Sequence, residues 1–185
     1  MKRTFSKTAA AICSLLLTAG IASYFIISVM HPSTLNAADS SNSTLTKVGD
    51  KSPVTSVRTV DGKTVDFANK VVVLNFFATW CGPCMMEMPH VQKDLWEPLK
   101  SKGLIVIAAG REHSDAEIKA FQEKNRYTFL FAADPKRDIF GKFATQSIPR
   151  CVVIGKDGII KFQSIGYGEK EFSALVKAVE TELAK

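Results

Sequence analysis

Cysteine and histidine are scarce in this sequence, and it lacks a strong excess of charge of either sign. Its 185 residues include four cysteines and three histidines. Four cysteines are too few for a small domain that depends on disulfides for its stability. The charged fraction of 23% and the apolar fraction of 46% are ordinary for a globular protein. These values exclude a collagen, a coiled coil and a wholly disordered chain, and the length suits one domain.

The positive charge is concentrated at the amino terminus. The formal net charge is +6, and Lys2, Arg3 and Lys7 contribute half of it. From Asp39 onward the chain has 21 basic and 18 acidic residues. Such a small and scattered surplus does not indicate a nucleic acid partner.

The sequence has one long stretch without charge, at residues 8–30, which excludes a membrane protein with several spans. As a helix this stretch would measure about 34 Å, enough to cross a hydrocarbon core of ~30 Å. The basic residues before it predict a cytoplasmic amino end and a domain on the other side of the membrane. Its length favours a retained signal-anchor, while small residues at 36–38 leave a cleaved signal peptide open. We therefore predict an anchor or signal at residues 1–38 and an extracytoplasmic (periplasmic or outer-face) protein held at the membrane.

The rest of the chain alternates between strand and helix patterns. Residues 39–47 are polar and rich in serine, which predicts a flexible linker, and residues 48–185 form the domain. The predicted strands are 54–58, 63–67, 71–77, 104–109, 129–132, 150–154 and 159–165. The predicted helices are 82–99, 114–124, 138–144 and 169–184, and Pro89 is expected to bend the first of them. This order predicts an α/β fold with a mixed central sheet flanked by helices on both faces.

A pair of cysteines, Cys81 and Cys84, lies where a predicted strand passes into a predicted helix. With Cys81 at the N-cap and Cys84 one turn inside, the two sulfurs are close enough to bond. The positive end of the helix dipole favours the thiolate of Cys81, which makes it the attacking nucleophile. Cys84 would then resolve the mixed disulfide. Pro83 suits a helix start, and Gly82 leaves room for the sulfur of a substrate.

Other readings of this pair fit the sequence poorly. A zinc site needs about four ligands, and there is neither a second Cys-x-x-Cys pair nor two histidines at ligand spacing. A haem attachment site would require histidine after Cys84, where Met85 stands. A purely structural disulfide would close only a four-residue loop and stabilise little. We therefore expect no metal, and no cofactor other than the redox-active Cys81–Cys84 disulfide itself.

Two segments carry a resemblance to a known family: VVVLNFFATWCGPCMMEMP and, downstream, SIPRCVVIGKDGII. Together they resemble the thioredoxin superfamily. More narrowly they are similar to the TlpA-like, membrane-anchored thiol-disulfide oxidoreductases, which include cytochrome-c-maturation reductases. The resemblance covers about residues 48–185. It implies a thioredoxin fold with two additions, an amino-terminal β-hairpin and a central insertion at residues 110–127.

The resemblance also implies roles for individual residues. Pro149 matches the cis-proline whose loop binds the substrate backbone, and Ile148 would touch the substrate. Trp80 would shield the nucleophile. Glu87 falls where these proteins keep a carboxylate near the site, although an ordinary solvated glutamate is the alternative. The implied partners are protein disulfide substrates and a membrane electron donor.

This sequence departs from the thioredoxin pattern at two positions. Asn75 stands where thioredoxins have a buried aspartate, and asparagine cannot accept a proton as a base. Either Glu87 or a water molecule must then do so, and burial near the sulfurs would raise the pKa of Glu87. Cys151, two residues after Pro149, is either a small buried residue or a further redox partner.

Two alternative functions are considered beside an exported oxidoreductase. Peroxiredoxins share the fold, but their peroxide pocket needs threonine and proline where this chain has Ala78 and Leu74. This chain therefore lacks the residues that would activate a peroxide in a thiol peroxidase. A non-catalytic binding module or chaperone would use the Pro149 loop alone, yet both cysteines of the pair are intact. Turnover of a disulfide substrate would distinguish these possibilities.

Overall fold

The computed structural model describes residues 43–185, and the elements below belong to that part of the chain. The predicted anchor at 8–30, the boundary at 38 and the first part of the predicted linker lie outside the described residues. Within residues 43–185, none of the helices has the length and apolar character needed to span a bilayer.

A small antiparallel hairpin opens the domain. Its strands are β1 (Ser56–Arg58) and β2 (Thr64–Asp66), which pair through Val57 and Val65. The turn contains Gly62, whose φ of 85° is readily available only to glycine. This confirms the predicted amino-terminal β-hairpin, which forms a two-stranded sheet of its own.

Five further strands form the predicted mixed sheet. They are β3 (Val71–Phe77), β4 (Leu104–Arg111), β5 (Leu130–Asp134), β6 (Arg150–Ile154) and β7 (Ile160–Ile165). Their spatial order is β5-β4-β3-β6-β7. The β3–β4 and β4–β5 pairs are parallel, whereas the β3–β6 and β6–β7 pairs are antiparallel. This arrangement confirms the predicted thioredoxin fold.

Strand β3 lies at the centre of the sheet, and all seven of its residues are buried. Its side chains alternate between two hydrophobic clusters. Val73 and Phe77 belong to the cluster that includes Cys84, while Leu74 and Phe76 belong to the cluster on the other face. A central strand covered on both faces accounts for its nearly continuous apolar sequence.

The predicted helix at 82–99 is an α-helix only in part. It comprises α1 (Gly82–His90), a π-helical segment (Val91–Trp96) and a short α2 (Glu97–Leu99). Pro89 lies inside α1 and cannot donate the backbone hydrogen bond that the α pattern needs there. The hydrogen-bond pattern changes to the wider π form directly after it, as is typical where the α-helical ladder is interrupted.

Of the other three predicted helices, two form and one does not. Helix α3 (Asp115–Asn125) has the predicted capping box between Ser114 and Glu117, and α4 (Glu169–Leu183) packs on the sheet. The predicted helix at 138–144 is wrong, because only a 3₁₀ turn (Phe140–Lys142) forms there. Arg137 has a φ of 63°, which takes the chain out of the helical region just before that turn.

Residues 43–47, from the predicted linker, contact the domain. Thr44 forms a β-bridge with Ala144, and the Leu45 N–H donates to the Phe143 carbonyl over 2.8 Å. The Thr44 hydroxyl also accepts a hydrogen bond from Arg150, the residue after Pro149. This part of the chain therefore runs beside the segment that leads into β6.

Candidate active site

Cys81 and Cys84 form a disulfide at the start of α1. The chain leaves β3 through a turn in which the Cys81 N–H donates to the Ala78 carbonyl over 3.1 Å. Cys81 is the N-cap residue, and its sulfur accepts a hydrogen bond of 3.3 Å from the Cys84 N–H. Cys81 retains 6% exposure, whereas Cys84 is completely buried. A substrate can therefore reach the sulfur of Cys81 first.

The residues beside Cys81 form an exposed rim. Trp80 is 64% exposed, and the guanidinium carbon of Arg111 lies 5.7 Å from the centre of its ring. Gly82 and Pro83 are exposed as well. A Cβ added at Gly82 would meet open space. The surface beside Cys81 is thus accessible to a polypeptide.

The loop before β6 lies against the disulfide. The Ile148–Pro149 peptide bond is cis, as the resemblance implies. The carbonyl oxygen of Ile148 lies 3.9 Å from Sγ of Cys81. Pro149 is buried and its carbonyl accepts a 2.8 Å hydrogen bond from the Gly166 N–H. The fold thus brings Ile148 and Cys81 together, although they lie 67 residues apart.

Asn75, Glu87 and Cys151 form a buried polar cluster, and Glu87 lies on the same helix as Cys84. Nδ2 of Asn75 donates to Oε2 of Glu87 over 2.6 Å and to the sulfur of Cys151 over 3.1 Å. The Cys151 thiol donates to Oε1 of Glu87 over 3.4 Å. Glu87 is only 3% exposed. The alternative of a solvated surface glutamate is therefore wrong.

Burial governs the protonation of this cluster. The loss of hydration raises the pKa of Glu87, and the hydrogen bonds from Asn75 and Cys151 oppose that rise in part. The pKa of the Cys151 thiol lies well above its usual range, chiefly through burial and secondly through the nearby Glu87 charge. Cys151 is thus a poor nucleophile near neutral pH, because thiol exchange requires the thiolate. Glu87 is the acidic member of this cluster, whereas Asn75 has no titratable group.

The sequence did not identify Arg111 and His113, which contact the residues just before Cys81. Arg111 ends β4 and lies beneath Trp80, while His113 is 8% exposed. Nε2 of His113 accepts a hydrogen bond of 3.0 Å from the Thr79 N–H. No local motif signals this contact, because it joins the insertion to a loop 34 residues earlier.

The structure also bears on the alternative chemistries. Among residues 43–185, no group of three or more histidine, cysteine or acidic side chains has the arrangement of a metal site. Leu74 and Ala78, where a peroxide pocket would need proline and threonine, are fully buried in the apolar core. Nothing in these surroundings favours a peroxidase.

Known proteins resemble this chain in sequence and in fold. The Redoxin family profile matches residues 47–179. Thiol-disulfide oxidoreductase ResA of Bacillus thuringiensis (strain Al Hakam) is 34% identical over 128 residues, which span 68% of this chain and 73% of the relative. Thioredoxin-like protein YneN of Bacillus subtilis (strain 168) is 30% identical over 122 residues, 64% of this chain and 71% of that protein.

Solved structures of thiol-disulfide proteins also resemble this chain. A Bacteroides thetaiotaomicron protein described as a protein disulfide isomerase has a TM-score of 0.72 and 32% identity, covering 77% of this chain and 94% of its own. A Chlorobium tepidum protein described as thiol:disulfide interchange protein DsbE has a TM-score of 0.63 and 26% identity. This match covers 74% of the present chain and 98% of the Chlorobium chain. With the Cys81–Cys84 pair at the start of α1 and the cis-proline loop beside it, the chain belongs to the Redoxin family and is a thiol-disulfide oxidoreductase of the thioredoxin fold.

Proposed function

We propose that this oxidoreductase works outside the cytoplasm and reduces disulfides of exported proteins. The observation that carries the proposal is the Cys81–Cys84 pair, with its outer sulfur at an accessible rim and the Ile148 carbonyl beside it. Gly-Pro between the cysteines resembles reducing thioredoxins, at about −270 mV, rather than strong oxidants near about −120 mV. The uncharged stretch at 8–30 behind three basic residues supports export and anchoring.

The reaction begins with the pair in its dithiol form. The Cys81 thiolate attacks one sulfur of the substrate disulfide, so that a mixed disulfide forms and the other substrate sulfur leaves as a thiolate. The Cys84 thiolate then attacks the sulfur of Cys81. This step closes the Cys81–Cys84 disulfide and releases the second substrate thiolate. Two electrons pass from the pair to the substrate, and each released thiolate takes up a proton.

Glu87 is proposed to accept the proton that Cys84 loses in the resolving step. Both residues are buried on α1, three positions apart, and therefore lie on one face of the helix. Asn75 and Cys151 hold the carboxylate by hydrogen bonds. Burial favours the protonated carboxyl, which makes Glu87 a stronger base than an exposed glutamate.

The proposed partners follow from the compartment. A reductase outside the cytoplasm works against an oxidising environment, so the pair must be reduced again by a membrane electron donor. Among exported substrates, apocytochrome c during cytochrome c maturation is the one that the TlpA-like resemblance suggests. The proposed contacts for the substrate backbone are Trp80, Gly82, Pro83, Ile148 and Pro149.

The reduction potential of the Cys81–Cys84 pair tests the direction of electron flow. Equilibration with glutathione, followed by mass spectrometry of the alkylated protein, should give a value near that of thioredoxin, about −270 mV. A value near about −120 mV would instead identify an oxidant. The same measurement on Cys151→Ala, which lacks the third thiol of the domain, checks that only the pair contributes.

Cell fractionation tests the proposed location. The full-length protein should sediment with membranes, and its domain should be reached by a thiol reagent that cannot cross the membrane. A soluble product with its amino end near Asp39 would show that the signal is cleaved. Labelling only after cell lysis would contradict export.

A further inference from the structure

The turn that carries Cys81 contains a backbone donor that the turn itself cannot satisfy. The Cys81 N–H returns to the carbonyl of Ala78, so Thr79 and Trp80 are the two central residues of the turn. In such a turn the N–H of the first central residue points away from the internal hydrogen bond. Thr79 is half-buried, and a buried N–H without an acceptor is costly. An acceptor from outside the turn, either another part of the protein or water, must therefore meet it.

His113 supplies that acceptor. Its Nε2 lies 3.0 Å from the Thr79 nitrogen and 3.3 Å from the Thr79 hydroxyl. Because Nε2 accepts from an N–H group, it carries no proton, and the hydrogen of the neutral ring is on Nδ1. Nδ1 faces Oε1 of Glu117 at 3.9 Å. The hydrogen bond at Nε2 thus orients the imidazole, and the Glu117 carboxylate lies on its Nδ1 side.

The insertion holds this imidazole firmly. Oε2 of Glu117 accepts from the N–H and the hydroxyl of Ser114, so the capping box of α3 fixes the carboxylate that faces the ring. The His113 N–H donates to the Gly110 carbonyl. Any side chain at Gly110 would collide with Ile118, which shows how closely α3 packs on the end of β4. His113 therefore has little freedom to follow a moving turn.

We propose that His113 is a positioning residue for the redox centre: by binding the Thr79 N–H, it holds the turn that sets the sulfur of Cys81 beside the Ile148 carbonyl. This inference rests on the proposed function, in which Cys81 attacks the substrate. The central insertion contains neither redox cysteine. Through His113 it nevertheless stabilises the position from which Cys81 attacks the substrate. Without the acceptor, the turn would sample positions in which Cys81 is poorly aligned for attack.

Two amide substitutions at one position test the proposal. His113→Gln places a carbonyl oxygen near the position of Nε2 and keeps the acceptor. His113→Asn keeps an amide near Glu117 but is too short to reach the Thr79 N–H. The measured quantity is the rate at which the reduced protein cleaves 5,5′-dithiobis(2-nitrobenzoate). We expect His113→Gln to retain the wild-type rate and His113→Asn to be slower by about five- to ten-fold, the effect of one unsatisfied donor.

Amide hydrogen exchange at Thr79 gives a readout that does not depend on activity. Thr79 should be protected in the wild type and in His113→Gln, and should exchange about ten-fold faster in His113→Asn. Thr79→Val keeps the N–H but removes the hydroxyl, and should behave as the wild type.

Three outcomes would overturn the inference: an unprotected Thr79 N–H in the wild type, the wild-type rate in both amide variants, or an equal loss of rate in both. The first needs no variant, so it applies even if His113→Asn fails to fold. A wild-type protein that does not cleave the reagent would instead contradict the proposed function.

Discussion

Asn75 and Cys151 face each other across the antiparallel pair of β3 and β6, and one amide hydrogen of Asn75 points at the Cys151 sulfur over 3.1 Å. The same amide group donates to Glu87. Asparagine at this position therefore does not replace the missing acid as a base. It instead holds a carboxylate that comes from helix α1.

The order of the two cysteines predicts which variant traps a substrate. Cys84→Ser should accumulate mixed disulfides with its substrates, because Cys81 still attacks and nothing resolves the product. Cys81→Ser should accumulate none, since Cys84 is completely buried. Non-reducing gel electrophoresis after acid quenching measures the trapped species. Equal trapping by both variants would contradict the assignment.

Replacement of Glu87 should alter the chemistry in two ways. In Glu87→Gln the thiol pKa values should fall, because a neighbouring negative charge that disfavours thiolates is lost. Resolution of the mixed disulfide should slow by about 10-fold or more, a modest effect for a general base. Stopped-flow reduction of a model disulfide across pH measures both. An unchanged pH profile would show that Glu87 takes no part in the reaction.

The raised pKa of Glu87 also predicts how stability depends on pH. Between the ordinary glutamate pKa and the raised pKa, the folded protein binds more protons at Glu87 than the unfolded chain. The free energy of unfolding should therefore decrease as the pH rises through that window. Glu87→Gln should lack this pH dependence, so the stability of the variant relative to the wild type should increase as the pH rises through the window. Urea unfolding at several pH values measures the difference, and parallel curves would contradict the prediction.

Cys151 should behave as a structural residue rather than a third redox thiol. Cys151→Ala should keep the turnover of the wild type, because the raised pKa makes this buried thiol unreactive. It should lose about 1–2 kcal/mol of stability, since Asn75 and Glu87 each lose a hydrogen-bond partner. Cys151→Ser retains a donor and is the matched control. Loss of turnover in both variants would indicate a redox role.

The local elements were largely predictable from the sequence, because each depends on neighbouring residues. The apolar run at 71–77 coincides with β3, and the Ser114–Glu117 pair marks the start of α3. The two local errors have backbone causes. Pro89 interrupts the α-helical bonding of the long helix, and the positive φ of Arg137 reduces a predicted helix to one turn.

The redox pair could be read from the sequence directly, because a short motif specifies a strand-to-helix turn with two sulfurs. The thioredoxin fold and the cis-proline were implied by the resemblance of two segments to the thioredoxin superfamily. The surroundings of that pair, in contrast, depend on contacts between distant parts of the chain. Strand register brings Cys151 to Asn75 over 76 residues, and the packing of the insertion brings His113 to Thr79 over 34 residues. Residues so far apart meet through sheet register and helix packing, which depend on the whole core. No periodicity within one segment encodes such contacts.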